Sequence, residues 1–132
     1  MATFLKSVLR NRGEPYNPDD YRLRNERTGA VLATRILTAF DSESRRTGLL
    51  QHDSLPAGSG LIIAPSNAIH TFFMRFAIDV AFVTKAGKVV KLRAAVPPWR
   101  IVAAFRAYAV IELPAGTLEL TGTTEGDQLI VI

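Results

Sequence analysis

The chain has 132 residues, of which 48% are apolar, and a formal net charge of +4. That length fits one domain over 1–132 with a core that needs no covalent staples, and the apolar fraction excludes wholesale disorder. With no cysteine and only His52 and His70, disulfides, thiolate chemistry, cysteine-based zinc sites and an all-histidine zinc site within one chain are excluded.

No HExxH-type spacing occurs, so neither a metal nor another cofactor is expected. No apolar run approaches the ~20 residues of a membrane helix, and Lys6 interrupts the run over 4–9, which is too short for a secretory h-region. The chain therefore reads as cytoplasmic, or periplasmic if a leader has been removed. The charge is uneven: residues 1–46 hold nine basic and six acidic groups, the remainder seven and six. A basic surface can attract nucleic acid, but no Gly-rich aromatic RNA motif or helix-turn-helix pattern accompanies it.

In chain order, residues 3–12 carry Phe4, Leu5, Val8 and Leu9 on one helical stripe, with Thr3 as N-cap and Gly13 as stop. Pro15 and Pro18 mark a loop. Residues 21–40 read as a hairpin turning at Arg27-Thr28-Gly29. Asp41 or Ser42 caps a short helix reaching about residue 50. Leu61-Ile62-Ile63 is a short buried strand. Residues 80–83 and 88–93 form a hairpin with Gly87 in the left-handed position of its loop. Pro97-Pro98 excludes a central strand there. Residues 108–113 and 129–132 are the last strands, and 114–122 form a turn with room for one helical turn. Many short strands and little helix indicate a mainly β fold, a compact antiparallel sandwich or barrel with one or two short helices.

Residues 69–79, Ile-His-Thr-Phe-Phe-Met-Arg-Phe-Ala-Ile-Asp, crowd polar functional groups among large apolar ones. As an extended segment, alternation places His70, Phe72, Met74 and Phe76 on one face and Thr71, Phe73 and Arg75 on the other, both of them covered. Arg75 and Asp79 need partners if buried, in each other or in other polar groups. Asp79, between Ile78 and Val80, reads as an internal anchor held by a cation or by several N–H donors; Arg75 is the nearest cation, with His70 and Arg100 also candidates. Gly126-Asp127 suits a turn whose carboxylate accepts backbone N–H groups, fixing the final strand. Trp99-Arg100 is either a cation–π pair or a ligand platform. Glu112, after Val110-Ile111, is a second carboxylate, able to act with Asp79 as an acid–base pair if the fold brings the two within about 5–10 Å.

An ordered set of motifs carries a resemblance. It runs through Thr47-Gly48-Leu49-Leu50, Leu55-Pro56, Gly60-Leu61-Ile62-Ile63, Phe73-Met74-Arg75, Ile78-Asp79-Val80-Ala81-Phe82, Ala86-Gly87-Lys88-Val89-Val90, Val96-Pro97-Pro98, Glu112-Leu113-Pro114-Ala115-Gly116 and Gly126-Asp127. Over about 20–132 the chain resembles the domain of unknown function 192 family, a small bacterial and archaeal domain, with residues 1–20 as an N-terminal helix and loop. The resemblance implies a compact β-rich fold without an assigned activity. Ala77 stands where that family commonly has proline.

Three functional readings follow. The first is a cofactor-free ligand-binding or accessory module with a cleft around His70, Thr71, Met74, Arg75, Trp99 and Arg100, taking a small-molecule or peptide ligand. The second is a hydrolase-like enzyme with a His70/Asp79 pair, Glu112 being the further catalytic candidate. The third is a basic nucleic-acid binder. The first is favoured because histidine and carboxylate occur without a nucleophile or oxyanion motif.

Overall fold

The computed structural model describes residues 4–5, 15–49 and 52–132. Most of the helix expected over 3–12 lies outside the described residues; Phe4 and Leu5 are in a turn and buried. Ten strands are described: β1 (Leu23–Asn25), β2 (Val31–Ala33), β3 (Arg35–Ala39), β4 (Ser59–Ile63), β5 (Ala68–His70), β6 (Ile78–Val83), β7 (Val89–Val96), β8 (Ile101–Ala103), β9 (Ala109–Pro114) and β10 (Leu129–Val131). Two short helices join them, α1 (Ser42–Thr47) and α2 (Thr117–Thr121). The fold is mainly β, with strand orders β3-β4-β9-β6-β7, β10-β1-β2 and β5-β8, and none of the three described sheets closes into a barrel.

The five-stranded sheet is the middle of the molecule. Strands β4 and β6 are buried along their whole length, and β9 along all but Pro114. Continuous apolar runs such as Ile78–Val83 are what a sheet covered on both faces requires. One face carries Ile36, Ile62, Ala81, Val83, Ile111 and Leu113, which pack against Leu23, Leu32, Leu129 and Val131 of the three-stranded sheet, together with Phe4 and Leu118. The opposite face carries Leu61, Ile63, Val80, Phe82 and Val110, under Leu49, Leu55, Met74 and the half-buried Ile69 and Val102 of the β5–β8 ribbon. Each large aliphatic or aromatic side chain so buried contributes about 1.5–3 kcal/mol.

The sheet departs from the antiparallel expectation at one pair. Strands β3 and β4 run parallel, in register from Arg35↔Ser59 to Ala39↔Ile63. A parallel pair needs a crossover, and α1 with the residues after it supplies one. Asp41 is the N-cap of α1, its carboxylate accepting from the Ser44 N–H at 2.7 Å. Gly48 follows as C-cap at φ 49°, with open space around it. Its role is therefore conformational, whereas at Gly60 a Cβ would stand 3.1 Å from the Leu113 side chain, so glycine there permits a close approach. In the β6–β7 hairpin, Gly87 has φ 88°, and a Cβ there would lie 2.5 Å from the Leu129 carbonyl oxygen.

The central stretch is extended only as far as His70, where β5 ends. Thr71 then turns the chain. Its N–H donates to the Arg100 carbonyl at 2.8 Å, and its carbonyl accepts from the N–H groups of Trp99 at 3.1 Å and Met74 at 3.2 Å. Phe73 takes φ 66° and is 70% exposed, while Met74 is buried. The expected alternation over 70–76, with both faces covered, is thus broken at Phe73, because tertiary hydrogen bonds fold the segment back at Thr71.

Candidate functional site

Strand β9 is the centre of the sheet, and Glu112 sits in it opposite Leu61 of β4 and Val80 of β6. Cross-strand partners share a face, so the Glu112 carboxyl projects between two apolar side chains on the face beneath α1 and the β5–β8 ribbon. It is 3% exposed, and among the described residues its Oε2 has no hydrogen-bond partner. Burial without a compensating charge pushes its pKa up to about 7.

Glu112 also lines a cavity of about 400 Å³, bounded by Ser42, Arg45, Gly48 and Leu49 around α1, by Ile63, Pro65, Ser66, Ala68, Ile69 and His70 around β5, and by Met74. The Arg45 side chain donates to the Phe40 carbonyl at 2.8 Å, which holds its charge at the start of α1. The Ser66 hydroxyl donates to the Ala68 carbonyl at 2.9 Å. His70 lies at the rim, its ring 5.1 Å from that of Phe72.

Of the candidate ligand-binding and catalytic residues, the structure brings His70, Met74 and Glu112 to this cavity, while Thr71, Arg75, Asp79, Trp99 and Arg100 do not line it. The Thr71 side chain is buried and fastens two loops: its hydroxyl donates to the Pro97 carbonyl at 2.7 Å and accepts from the Arg100 N–H at 2.9 Å. Arg75 is exposed and pairs with Asp53, not with Asp79. Trp99 packs against Phe72 and, edge-on at 4.7 Å, against Phe73, so its aromatic partners are these rings and not the Arg100 guanidinium. Trp99, Arg100 and Arg75 do not line the cavity. His52, the other histidine, is half-buried and does not line the cavity. Arg45 and Ser66, which also line the cavity, stand in no motif of the sequence. The neighbouring Thr47-Gly48-Leu49 motif was the one signal that α1 borders a site.

Asp79 is fully buried, and backbone donors hold it. Its Oδ1 accepts from the Ala95 N–H at 2.8 Å; its Oδ2 accepts from those of Gly116 at 3.1 Å and Leu118 at 2.9 Å. No cation takes part in these bonds. Asp79 pairs with Leu113 while Glu112 pairs with Val80, so the two carboxylates project from opposite faces of the sheet. The layer of sheet between them rules out an acid–base pair, and the hydrogen bonds on both Asp79 oxygens leave it unsuited to orient His70. Among the described residues, no group of three or more histidine or acidic side chains could hold a metal.

Asp127 is buried at the turn before β10. It accepts from Arg27 Nε at 2.6 Å, Asn25 Nδ2 at 2.9 Å and the Thr124 N–H at 2.8 Å. Gly126, at φ 91°, donates its N–H to the Val89 carbonyl. Hydrogen bonding from Arg27, first, and then from Asn25 and Thr124 holds the Asp127 carboxyl well below the usual carboxylate range. A depressed acid stabilises the fold above its unfolded pKa and loses that contribution as pH falls through the folded one. Asp127→Ala should therefore lower stability by about 2–3 kcal/mol at neutral pH, a loss that shrinks once pH falls below about 4, as read from urea midpoints at pH 7 and pH 3.

Comparison with known proteins decides the family. The sequence profile of the domain of unknown function 192 family, described as an uncharacterized ACR, matches residues 23–131. The chain belongs to that family. No curated protein matches the chain. Two solved structures share its fold. One is a proposed transcription regulator from Sinorhizobium meliloti 1021, 21% identical with a TM-score of 0.73, covering 83% of this chain and 89% of the other. The second is a protein of unknown function from Novosphingobium aromaticivorans, 21% identical with a TM-score of 0.71, covering 83% of this chain and 81% of the other. Likeness at this identity extends to the fold alone.

Proposed function

We propose that this domain of unknown function 192 protein is a small-ligand-binding module whose pocket has the Glu112 carboxyl as its floor and His70 at its rim. The observation that carries the reading is Glu112, which lines a cavity of about 400 Å³ and whose buried Oε2 has no hydrogen-bond partner among the described residues. A buried polar atom without a partner is costly, and pockets built around one or a few such groups are a common basis of ligand recognition. Leu49, Ile63, Ile69 and Met74 supply an apolar wall, while Ser66 and Arg45 add polar groups at the edge. A carboxyl that titrates near neutral pH both donates and accepts hydrogen bonds there. The ligand class this favours is a compact molecule with an apolar body and one amine, amide or hydroxyl directed at Glu112.

The test is a methyl-detected NMR screen with fragments of about ten heavy atoms bearing one amide or amine, a size the ligand-efficiency ceiling allows to bind measurably. Fragments that bind should shift the methyl signals of Ile63, Ile69 and Met74. Glu112→Leu, which removes the polar floor, should weaken them by at least about tenfold. Perturbations that cluster elsewhere, or binding indifferent to Glu112→Leu, would overturn the reading.

A further inference from the structure

Beside the cavity, whose rim shares Ala68 and His70 with it, the outer face of the β5–β8 ribbon is exposed and largely apolar. Ile101 and Ala103 of β8 lie opposite His70 and Ala68 of β5, and all four are exposed. Two residues beyond either end of β8, Trp99 is 57% and Phe105 is 97% exposed; Phe73, against Trp99, is 70% exposed. The row from residue 99 to residue 105 is at most about 20 Å long at strand spacing. Left-handed backbone at Phe73 (φ 66°) and Trp99 (φ 69°) holds these two rings at the surface. Non-glycine residues adopt that conformation at a cost that the surrounding structure must impose, and such strain concentrates at functional sites.

Cations flank the row. Arg93, Arg100 and Arg106 are exposed, and Lys91 reaches across from β7 to the Ala103 carbonyl. Among the described residues none of these four makes an ion pair. One carboxylate, Glu125, borders the shallow groove that Lys91, Arg93, Phe105 and Arg106 share.

We infer that this face docks on an anionic lipid bilayer, with Phe105, Ile101, Trp99 and Phe73 entering the interface and Lys91, Arg93, Arg100 and Arg106 meeting the headgroups. Three features favour that occupant. Aromatic and aliphatic side chains standing proud of the surface suit the headgroup boundary, where tryptophan in particular settles. The cations complement a negative leaflet. A second copy of the chain paired about a two-fold axis would set the same four cations against each other. Single-stranded nucleic acid would use the rings for stacking, but Ile101 and Ala103 at the middle of the row have no π-face to offer. No described helix is long and apolar enough to cross a membrane.

The chain carries its own reporter, because Trp99 is the only tryptophan. The full chain is mixed with vesicles of equal parts phosphatidylglycerol and phosphatidylcholine, and with vesicles of phosphatidylcholine alone. On the anionic vesicles Trp99 emission should shift to the blue, brominated lipid should quench it, and the protein should co-sediment. Binding should fall by at least about tenfold on phosphatidylcholine alone or on raising salt from 0.05 to about 0.5 M. The double variant Ile101→Ser/Phe105→Ser should lose binding to a similar extent with an unchanged thermal midpoint, since both side chains are exposed. The inference is overturned if Trp99 emission does not move on anionic vesicles, or if the double variant binds as well as the parent. It is equally overturned if sedimentation velocity shows a dimer that the double variant abolishes, or if single-stranded DNA shifts Trp99 where vesicles do not.

Discussion

Replacing Asp79 by alanine should destabilise the fold by about 3–5 kcal/mol, at about 1–3 kcal/mol for each backbone donor left without its acceptor. The carboxylate is fully buried and accepts three backbone N–H groups, from Ala95 at the end of β7, from Gly116 before α2 and from Leu118 inside it. Ala95 itself has φ 49° and Gly116 φ 96°. Two segments of unusual backbone are thus pinned to one side chain on β6. Alanine leaves the donors without acceptors, and each orphaned buried group costs about 1–3 kcal/mol. Asp79→Asn should fall between, because an amide keeps one accepting oxygen and turns the other position into a donor facing N–H groups. Urea unfolding at pH 7 should show the loss as a lower midpoint with an unchanged slope. An unchanged midpoint would remove Asp79 as an anchor.

Glu112→Gln should act in the opposite direction, and its effect should depend on pH. Burial raises the Glu112 pKa from 4.5 to about 7. Between these values the folded state keeps a proton that the unfolded state has released. Stability is therefore complete below about pH 4.5, falls as pH rises towards 7, and levels off above it. Two and a half pH units correspond to roughly 3 kcal/mol. Glutamine has no proton to lose, so the variant should match the parent near pH 4.5 and exceed it by roughly 3 kcal/mol at pH 8. The readout is the difference between the two stability profiles, which cancels every other titrating group. A difference that is flat across this range would show that Glu112 is not desolvated.

The sequence and the structure agree where the physics is local. Alternating apolar residues, Gly87 in its turn and the Asp41 cap place strands, hairpin and α1 close to where they lie. The apolar neighbours Ile78 and Val80 were enough to mark Asp79 as interior. Its partners were not legible, because Ala95, Gly116 and Leu118 reach it from segments 16 to 39 residues away along the chain. The same limit applies to Glu112. Val110 and Ile111 flagged it, but only the register of β6 against β9 shows that it projects away from Asp79. Arg75 and Trp99 went astray for a different reason. An extended reading of residues 70–76 assumes ordinary backbone, and nothing in the composition of that stretch announces a left-handed phenylalanine.

The pocket depends on the state of one carboxyl group, that of Glu112. Carbon-13 NMR of the side-chain carboxyl carbons, with the Glu112 signal assigned by its disappearance in Glu112→Gln, follows that state directly. The expected midpoint is about 7, far from the exposed carboxylates. A midpoint in the ordinary glutamate range, about 4.3, would contradict it, because the side chain would then be solvated or paired and the pocket would lose its floor.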